Sequence, residues 1–326
     1  MKSKILALLR ERRDYVSGQE LCEHFGVSRT AVWKAVGQLK KEGYEIEAVK
    51  NRGYLLTERE DVFGRHELES RMATRWAGHP VYFYESVSST NQQAKQLAES
   101  GCGQGTLVAA DMQTAGRGRR GKAWSSPAGT NVYFTLILKP EYDPDCVSMV
   151  TLVMALAVAE GIRATCGVEA GIKWPNDIVA DGKKLCGMLT EMSVERDYIH
   201  HVVVGAGINV RRQEFAPEIA DRAVSLEQLC GQRVSRAMLI ANVMKAFEKF
   251  YDCFEREHSL AGLLEQYNRL LVSRDGEVCV LDPKGEYRGI SRGVNARGEL
   301  LVELADGRVT EVYAGEVSVR GVYGYV

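Results

Sequence analysis

Between Gln113 and Trp124 the chain sets four cations, Arg117, Arg119, Arg120 and Lys122, among three glycines, Gly116, Gly118 and Gly121; no acidic residue occurs from Met112 to Pro140. Glycine lets a backbone approach a ligand closely and aim its N–H groups at it. Cations this dense repel one another until an anion arrives, so the segment reads as a loop for one phosphate or more. It is not a dinucleotide fingerprint, because the third glycine is wrongly spaced and no helix is expected after it. It is not a P-loop either, since Gly-Lys-Ser/Thr is missing. Its place between two strands favours a small phosphate ligand over RNA. Trp124 could stack on a base or pack in a core.

Two further polar clusters interrupt apolar sequence. Ser86, Ser88, Ser89 and Thr90 run into Asn91 and Gln92. A helix N-cap needs one such side chain, and the surplus can hydrogen-bond a neutral polar ligand. Lys173-Trp174-Pro175-Asn176-Asp177, followed by Gly182-Lys183-Lys184-Leu185-Cys186-Gly187, puts a Lys, an Asn and an Asp at strand ends, where they can fix a phosphate or a metal ion. A surface hairpin accounts for Asp181-Gly182-Lys183 but poorly for Lys184, which begins an apolar strand. Gly205, Gly207 and Asn209 close another apolar strand. His200 and His201 are adjacent and so face opposite sides of a strand. The eight cysteines contain no C-x-x-C pair and read as reduced, mostly buried thiols, so no protein-borne metal centre is expected.

These clusters must be positioned by a fold, and 326 residues suffice for two or three domains. The net charge of −1 gives no global pull toward nucleic acid or membrane, so any such attraction is local. The apolar run Met149–Ala159 is shorter than the ~20 residues needed to cross a bilayer, and no signal-peptide core precedes Arg10. A cytoplasmic protein is the expectation. Residues 1–62 predict a winged helix-turn-helix. Ile5, Leu6, Leu8 and Leu9 stripe a first helix, Ser17 and Glu20 form a capping box for a second, and Gly26 turns the chain. Ser28 caps a third helix with Val32, Val36 and Leu39 inward and Arg29, Thr30, Trp33 and Lys34 outward. Ser28–Lys41 has no acid, and a hairpin with Lys50 and Arg52 at its tip follows. That arrangement favours DNA binding over a solvated interaction face, with the third helix in the major groove. Gly37 within it costs ~1 kcal/mol relative to Ala and suggests a close approach.

Residues 63–271 alternate strands and helices, with hairpins that argue for a mixed sheet carrying helices on one face. Residues 272–326 give five short strands separated by turn residues, the spacing of a small SH3-like barrel. The whole is α+β.

Ser89-Thr90-Asn91-Gln92, Gly116-Arg-Gly-Arg-Arg-Gly121, Lys173-Trp-Pro-Asn-Asp177, Lys184-Leu-Cys-Gly187 and Gly207-Ile-Asn209 together closely resemble the biotin–protein ligases. With the N-terminal winged helix, the chain is similar to the bifunctional bacterial form that also represses the biotin operon. Lys122 stands where an arginine is common and Cys186 where a small apolar residue is common. The resemblance implies a class II synthetase-like central domain. It implies that biotin and MgATP give biotinyl-5′-AMP and pyrophosphate, and that biotin then passes to one lysine of a biotin carboxyl carrier protein. It places Ser89, Thr90, Asn91, Gln113, Arg117, Gly118, Arg119 and Lys184 around biotin and its activated carboxyl. Lys122, Trp124, Asn176 and Asn209 fall to the adenylate, and Arg119, Lys184 and Asp177 to catalysis. It further implies a homodimer, promoted by biotinyl-5′-AMP as corepressor, on operator DNA. Ser28, Arg29, Thr30, Trp33, Lys34, Lys50 and Arg52 would contact that DNA. A biotin-sensing regulator without turnover is the alternative.

Overall fold

A computed structural model describes residues 1–57, 61–195, 198–282, 285–314 and, by their backbone, 318–321. The N-terminal unit runs α1 (Lys2–Arg12), α2 (Gly18–Phe25), α3 (Arg29–Lys41), β1 (Glu45–Val49) and β2 (Gly53–Thr57). Ser17 Oγ accepts from the Glu20 N–H at 3.0 Å, while the Glu20 carboxylate pairs with Arg12. Gly26, at φ +63°, ends α2, and Ser28 Oγ accepts from the Ala31 N–H at 3.2 Å to start α3. Val32, Val36 and Leu39 pack with Ile5, Leu6, Leu9 and Leu21 in one buried cluster. Arg29, Thr30, Trp33 and Lys34 are left on the exposed face. The antiparallel hairpin β1–β2 turns through Lys50, Asn51 and Arg52. Gly53 must be glycine, because a Cβ there would lie 2.1 Å from the Val16 carbonyl oxygen. Gly37 is different: a Cβ would meet nothing within 4 Å, so the expected close approach does not exist in the described chain.

The helix α4 (Arg65–Arg71) leads into the central unit: β3 (Val81–Val87), α5 (Thr90–Glu99), β4 (Leu107–Gln113), β5 (Val132–Leu138), α6 (Val147–Cys166), β6 (Gly171–Lys173), β7 (Asp177–Ala180), β8 (Lys183–Glu195), β9 (Tyr198–Ile208), α7 (Leu226–Cys230), α8 (Arg236–Glu257) and α9 (Leu264–Leu270). Seven strands form one sheet in the order β3-β4-β5-β9-β8-β7-β6, with β3 and β4 parallel and every other pair antiparallel. The β7–β8 hairpin turns at Asp181 and Gly182, both at positive φ (50° and 67°), as a two-residue turn requires. Leu260–Leu270 is not one helix: it divides into a 3-10 turn, Ala261–Leu263, and α9, with Gly262 in the turn.

Helices cover both faces of the sheet rather than one. Leu107, Phe134, Leu136, Val202 and Val204 join α6 and α8 in the main core, whereas Val108, Ile137 and Val203 meet Ala94 and Ala98 of α5. Every residue of β5 is buried, and a strand apolar on both sides needs two covers. The apolar helical stretch is also longer than Met149–Ala159. Pro144–Cys166 is long and apolar enough, by length and composition, to cross a membrane, but it lies mostly buried against the sheet and α8. Gly161 permits that contact, since a Cβ would sit 2.9 Å from Val243 Cα. Of the eight free cysteines only Cys186 and Cys279 are buried; the other six are half-buried.

The C-terminal unit is an antiparallel five-stranded sheet of β10 (Glu277–Asp282), β11 (Gly285–Val294), β12 (Leu300–Glu303), β13 (Val309–Val312) and β14 (Ser318–Gly321), in the order β13-β12-β11-β10-β14. Of the five strands expected over residues 272–326, the last falls partly outside the described residues, which omit 315–317 and 322–326. Val278, Val280, Val294, Leu300 and Val302 continue the core of the central unit. The buried Trp174 indole donates to the Gly298 carbonyl at 3.0 Å. These contacts seat the C-terminal sheet beside the polar end of β7.

Candidate active site

The cationic loop is a small hairpin closed on itself. The Gly118 N–H donates to the Lys122 carbonyl at 2.7 Å, the Trp124 N–H donates to the Gly116 carbonyl at 2.9 Å, and Arg117 bridges Ala123. Arg120 and Gly121 turn its tip at φ +57° and +71°. Arg117, Arg120 and Lys122 project into solvent, whereas Arg119 turns inward. Its Nη1 donates to Asn176 Oδ1 at 3.0 Å and its Nη2 to the Ala314 carbonyl of the C-terminal unit at 2.9 Å. Burial, then Arg120, pulls this guanidinium below the usual arginine value, and Asp177 pushes it back up. An arginine so placed keeps its charge. A cavity of about 840 Å³ opens here, lined by Arg119, Arg120, Asn176, Thr190, Asp282 and Tyr313 among others.

Beyond Arg119 lies a Lys–Asp–Asn cluster that the β7–β8 pairing assembles. Lys184 Nζ is 2.7 Å from Asp177 Oδ1, and Asn176 Nδ2 donates to Asp177 Oδ1 and to the Met188 carbonyl, both at 3.1 Å. Lys184 Nζ also stands 5.5 Å from the Trp124 ring centroid. Trp124 lies flat on the sheet backbone. Cβ atoms at Gly207 and Gly187 would fall 2.5 Å from its Nε1 and 3.1 Å from its Cζ3, so both strands need glycine beneath the indole. The indole Nε1 is buried and, among the described residues, has no hydrogen-bond partner. Such a group costs about 1–3 kcal/mol and is a donor waiting for an acceptor. Asn209 spends its amide on the Val224 carbonyl, 3.1 Å away, holding the segment after β9 against the sheet.

The third part is a buried polar floor. Ser89 is the N-cap residue of α5, yet its hydroxyl makes no capping bond. The Thr90 N–H donates to Gln113 Oε1 at 2.9 Å, and Gln113 Nε2 donates to Ser126 Oγ at 2.9 Å. Gly116 is required here, as a Cβ would lie 2.7 Å from Ser126 Oγ. The Asn91 amide is spent within the protein: Nδ2 donates to the Leu189 carbonyl at 3.1 Å and to Glu191 Oε2 at 2.8 Å. A Cβ at Gly205 would fall 2.0 Å from Asn91 Oδ1. Sequence reasoning missed Thr135, Ser126, Lys95 and Glu191, all joined to this floor. One signal was present, the aliphatic hydroxyl of Thr135 within the largely apolar run Val132–Leu138.

Contacts thus run continuously from Asn91, Thr135 and Thr90 through Gln113, Ser126 and Trp124 to Lys184, Asp177, Asn176 and Arg119. Of these, Arg119 and Asn176 line the cavity, whereas Arg117 and Lys122 are exposed. Among the described residues no three His, Cys, Asp or Glu side chains converge to hold a metal ion. The Asp177 carboxylate is already paired with Lys184. Mg²⁺ carried on phosphates with its own waters suits such a site. On the N-terminal unit, Ser28 is used as a cap, Arg29 Nη2 donates to Gln19 Oε1 at 3.0 Å, and the Arg52 guanidinium stacks 4.0 Å over the Tyr15 ring. Trp33 is 67% exposed, with Lys34 beside it.

Comparisons with known proteins agree with this layout. Residues 83–209 match the Biotin/lipoate A/B protein ligase family, residues 2–55 an HTH domain, and residues 277–320 the Biotin protein ligase C terminal domain. The chain is 37% identical over 307 residues to the bifunctional ligase/repressor BirA of Bacillus subtilis, covering 93% of this chain and 94% of that one. It is 30% identical over 320 residues to BirA of Escherichia coli, covering 97% and 96%. Among solved structures, the biotin protein ligase of Aquifex aeolicus in complex with biotin and ATP aligns with a TM-score of 0.66 and 30% identity, over 74% of this chain and 99% of that one.

Proposed function

The chain belongs to the bifunctional biotin–protein ligase and repressor family, and from that membership we infer that it couples biotin to ATP, transfers it to a carrier protein of biotin-dependent carboxylases and represses transcription at an operator. The observation that carries the enzymatic half is the unbroken run of contacts joining an inward arginine, a Lys–Asp pair and a buried polar network. Residues 1–62 serve as the DNA-binding unit, 63–271 as the ligase and 272–326 as the unit that closes the cleft.

The first step brings the biotin carboxylate against the α-phosphate of ATP. Two unit charges 4 Å apart repel by about 4 kcal/mol at an effective dielectric of ~20, roughly three decades in rate. Arg117, Arg119, Arg120 and Lys122, with Lys184, supply the opposing charge, and the Mg²⁺ that accompanies the nucleotide neutralises its phosphates. The carboxylate oxygen bonds to phosphorus and pyrophosphate leaves. The neutral carrier lysine then attacks the acyl carbon of biotinyl-5′-AMP, forming the amide and releasing AMP. No protein nucleophile is needed. Ser89, Thr90 and Gln113 would face the biotin ring, with Asn91 behind them. Arg117, Gly118, Arg119 and Lys184 would face its carboxyl, and Lys122, Trp124, Asn176 and Asn209 the adenylate. Arg119, Lys184 and Asp177 make up the catalytic set.

For repression, Ser28, Arg29, Thr30, Trp33 and Lys34 would enter the major groove while Lys50 and Arg52 meet phosphate. A homodimer promoted by biotinyl-5′-AMP would present two such units, in the cytoplasm. What supports the dimer is the free side of β8. Beyond Gly187 it pairs with β9 and, among the described residues, with no strand on its other edge, while Met192 and Tyr198 nearby are 43% and 67% exposed. Such an edge is a template for a second copy.

The test is transfer of radiolabelled biotin with MgATP, run with and without apo carrier and read with pyrophosphate release. Operator footprinting across a salt series, with and without biotin, accompanies it. Pyrophosphate release without carrier labelling would leave only adenylation, and footprints indifferent to biotin would remove the corepressor role.

A further inference from the structure

The floor of the cleft hides a chain of hydrogen bonds whose direction is fixed from one end. Glu191, on β8, takes Lys95 Nζ at 2.5 Å on one oxygen and Asn91 Nδ2 at 2.8 Å on the other. A carboxylate in this position only accepts, and the second Nδ2 proton goes to the Leu189 carbonyl. The Asn91 amide is therefore locked with Oδ1 toward Thr135, whose Oγ1 is 2.7 Å away. A hydroxyl has one proton, and an amide oxygen cannot donate. The Thr135 proton is thus committed to Asn91, and its lone pairs face Thr90 Oγ1, 2.9 Å away. The Thr90 proton has two acceptors within reach, Thr135 Oγ1 and Gln113 Oε1 at 3.1 Å, and either one consumes it. Thr90 is left with lone pairs for the cleft. Gln113, whose Oε1 is held by the Thr90 N–H and whose Nε2 spends one proton on Ser126, is left with an N–H.

We propose that Thr135, backed by Glu191, is a positioning residue of the biotin site: by committing its own proton to Asn91 it leaves Thr90 an acceptor beside Gln113, whose own bonds to Thr90 and Ser126 leave it a donor. An edge that accepts beside one that donates complements a group carrying N–H next to C=O, which is the chemistry of a cyclic urea. Thr135 is fully buried in β5 and reaches the ligand only through Thr90 and Asn91. The inference rests on the reading that this floor holds biotin.

Thr135→Val keeps the shape and removes the hydroxyl. Asn91 Oδ1 then either stays without a donor or draws the Thr90 proton out of the cleft. On the full-length chain, steady-state KM for biotin should rise about tenfold, the usual consequence of one misdirected buried hydrogen bond. KM for MgATP and the thermal midpoint should stay near those of the unaltered chain, and Thr135→Ser, which restores the hydroxyl, should restore the biotin KM. Glu191→Gln offers a donor where two donors now sit, and serves as the second variant should Val not fold. Its biotin KM should rise in the same sense, about threefold, the worth of a half-exposed charge pair. Gln113→Ala is the control for the underlying reading. If it leaves the biotin KM unchanged, the floor is not the biotin site and both readings fall. If it raises the KM while Thr135→Val and Glu191→Gln stay within experimental error, only the positioning role falls. Equal rises in the biotin and MgATP KM values for Thr135→Val would likewise overturn it, as general damage.

Discussion

The floor of the cleft and the hairpin above it are built on opposite electrostatic plans. In the floor, Thr90, Asn91 and Thr135 are almost wholly buried, and their bonds to Gln113 and Glu191 use nearly every donor. In the hairpin, Arg117, Arg120 and Lys122 are exposed, and solvent screens the repulsion among them. A satisfied buried network is rigid and selects shape and hydrogen-bond pattern. An exposed, cation-rich loop is suited to receive further negative charge from a ligand. On the proposed function, the floor would recognise a neutral ring and the hairpin would manage negative charge. Lys184 and Arg119, whose cationic ends are tied to Asp177 and Asn176, stand where the two plans meet.

The largest expected effect belongs to that junction. Lys184→Ala removes a preorganised cation from the place where charge develops, and such losses cost about 10²–10³ in rate. Single-turnover pyrophosphate release should fall by that factor, while calorimetric binding of biotin alone changes far less. A parallel loss in both measurements would erase the division between floor and hairpin. Arg119→Gly comes next. It removes two bonds, to Asn176 and to the Ala314 carbonyl, that tie the hairpin to both sides of the cleft. Biotinyl-5′-AMP should escape about ten- to a hundredfold faster, the worth of a charge-assisted hydrogen bond. Lysines of bystander proteins should then become biotinylated, as read by mass spectrometry. Acceptor selectivity equal to that of the unaltered chain would mean that the hairpin does not retain the product.

The hairpin was far more legible in the sequence than the floor, and the reason is physical. Its cations, glycines and closing Trp124 are contiguous, so composition alone exposes them. Lys184 and Asp177 also sit in one β-hairpin, whose turn at Asp181-Gly182 is written in the residue types. The floor has no such locality. Lys95 comes from a helix, Thr135 and Glu191 from strands that share only β9 as a neighbour, and register alone brings them together. Asn91 is a mixed case: its place in a polar run was legible, but its bonds to Leu189, Glu191 and Thr135 follow from α5 packing on the Val203–Gly205 face of the sheet. That placement was itself hidden in strands apolar on both sides, which periodicity does not separate from one-sided burial. In the N-terminal unit, Ser28, Gly26 and the acid-free α3 specified the helices directly, because caps and turns are local signals.

The smallest effect expected is a pH dependence confined to the floor. Burial alone would raise the Glu191 carboxyl, but the bonds from Lys95 and Asn91, with the charges of Lys95 and Arg117, outweigh it and hold the carboxyl below its ordinary range. A lowered folded value means that the stabilising contribution is complete above the unfolded glutamate pKa of about 4.3 and is lost as the pH falls through the lower folded value. The hairpin contains only cations, which stay charged throughout that window, so any acid loss of biotin binding that leaves nucleotide binding intact reports on the floor. Biotin affinity, measured by calorimetry on the full-length chain, should be level from neutrality down to the ordinary glutamate range and weaken only below it. Lys95→Met removes the strongest of the groups that lower the Glu191 carboxyl while leaving Glu191 in place. The carboxyl then moves back up, and the weakening should begin at higher pH, with an affinity loss of about two- to fivefold near pH 5, the scale of a half-exposed ion pair. Identical acid profiles for the unaltered chain and Lys95→Met would mean that Glu191 does not govern the floor, and the contrast between the two walls would then rest on shape alone.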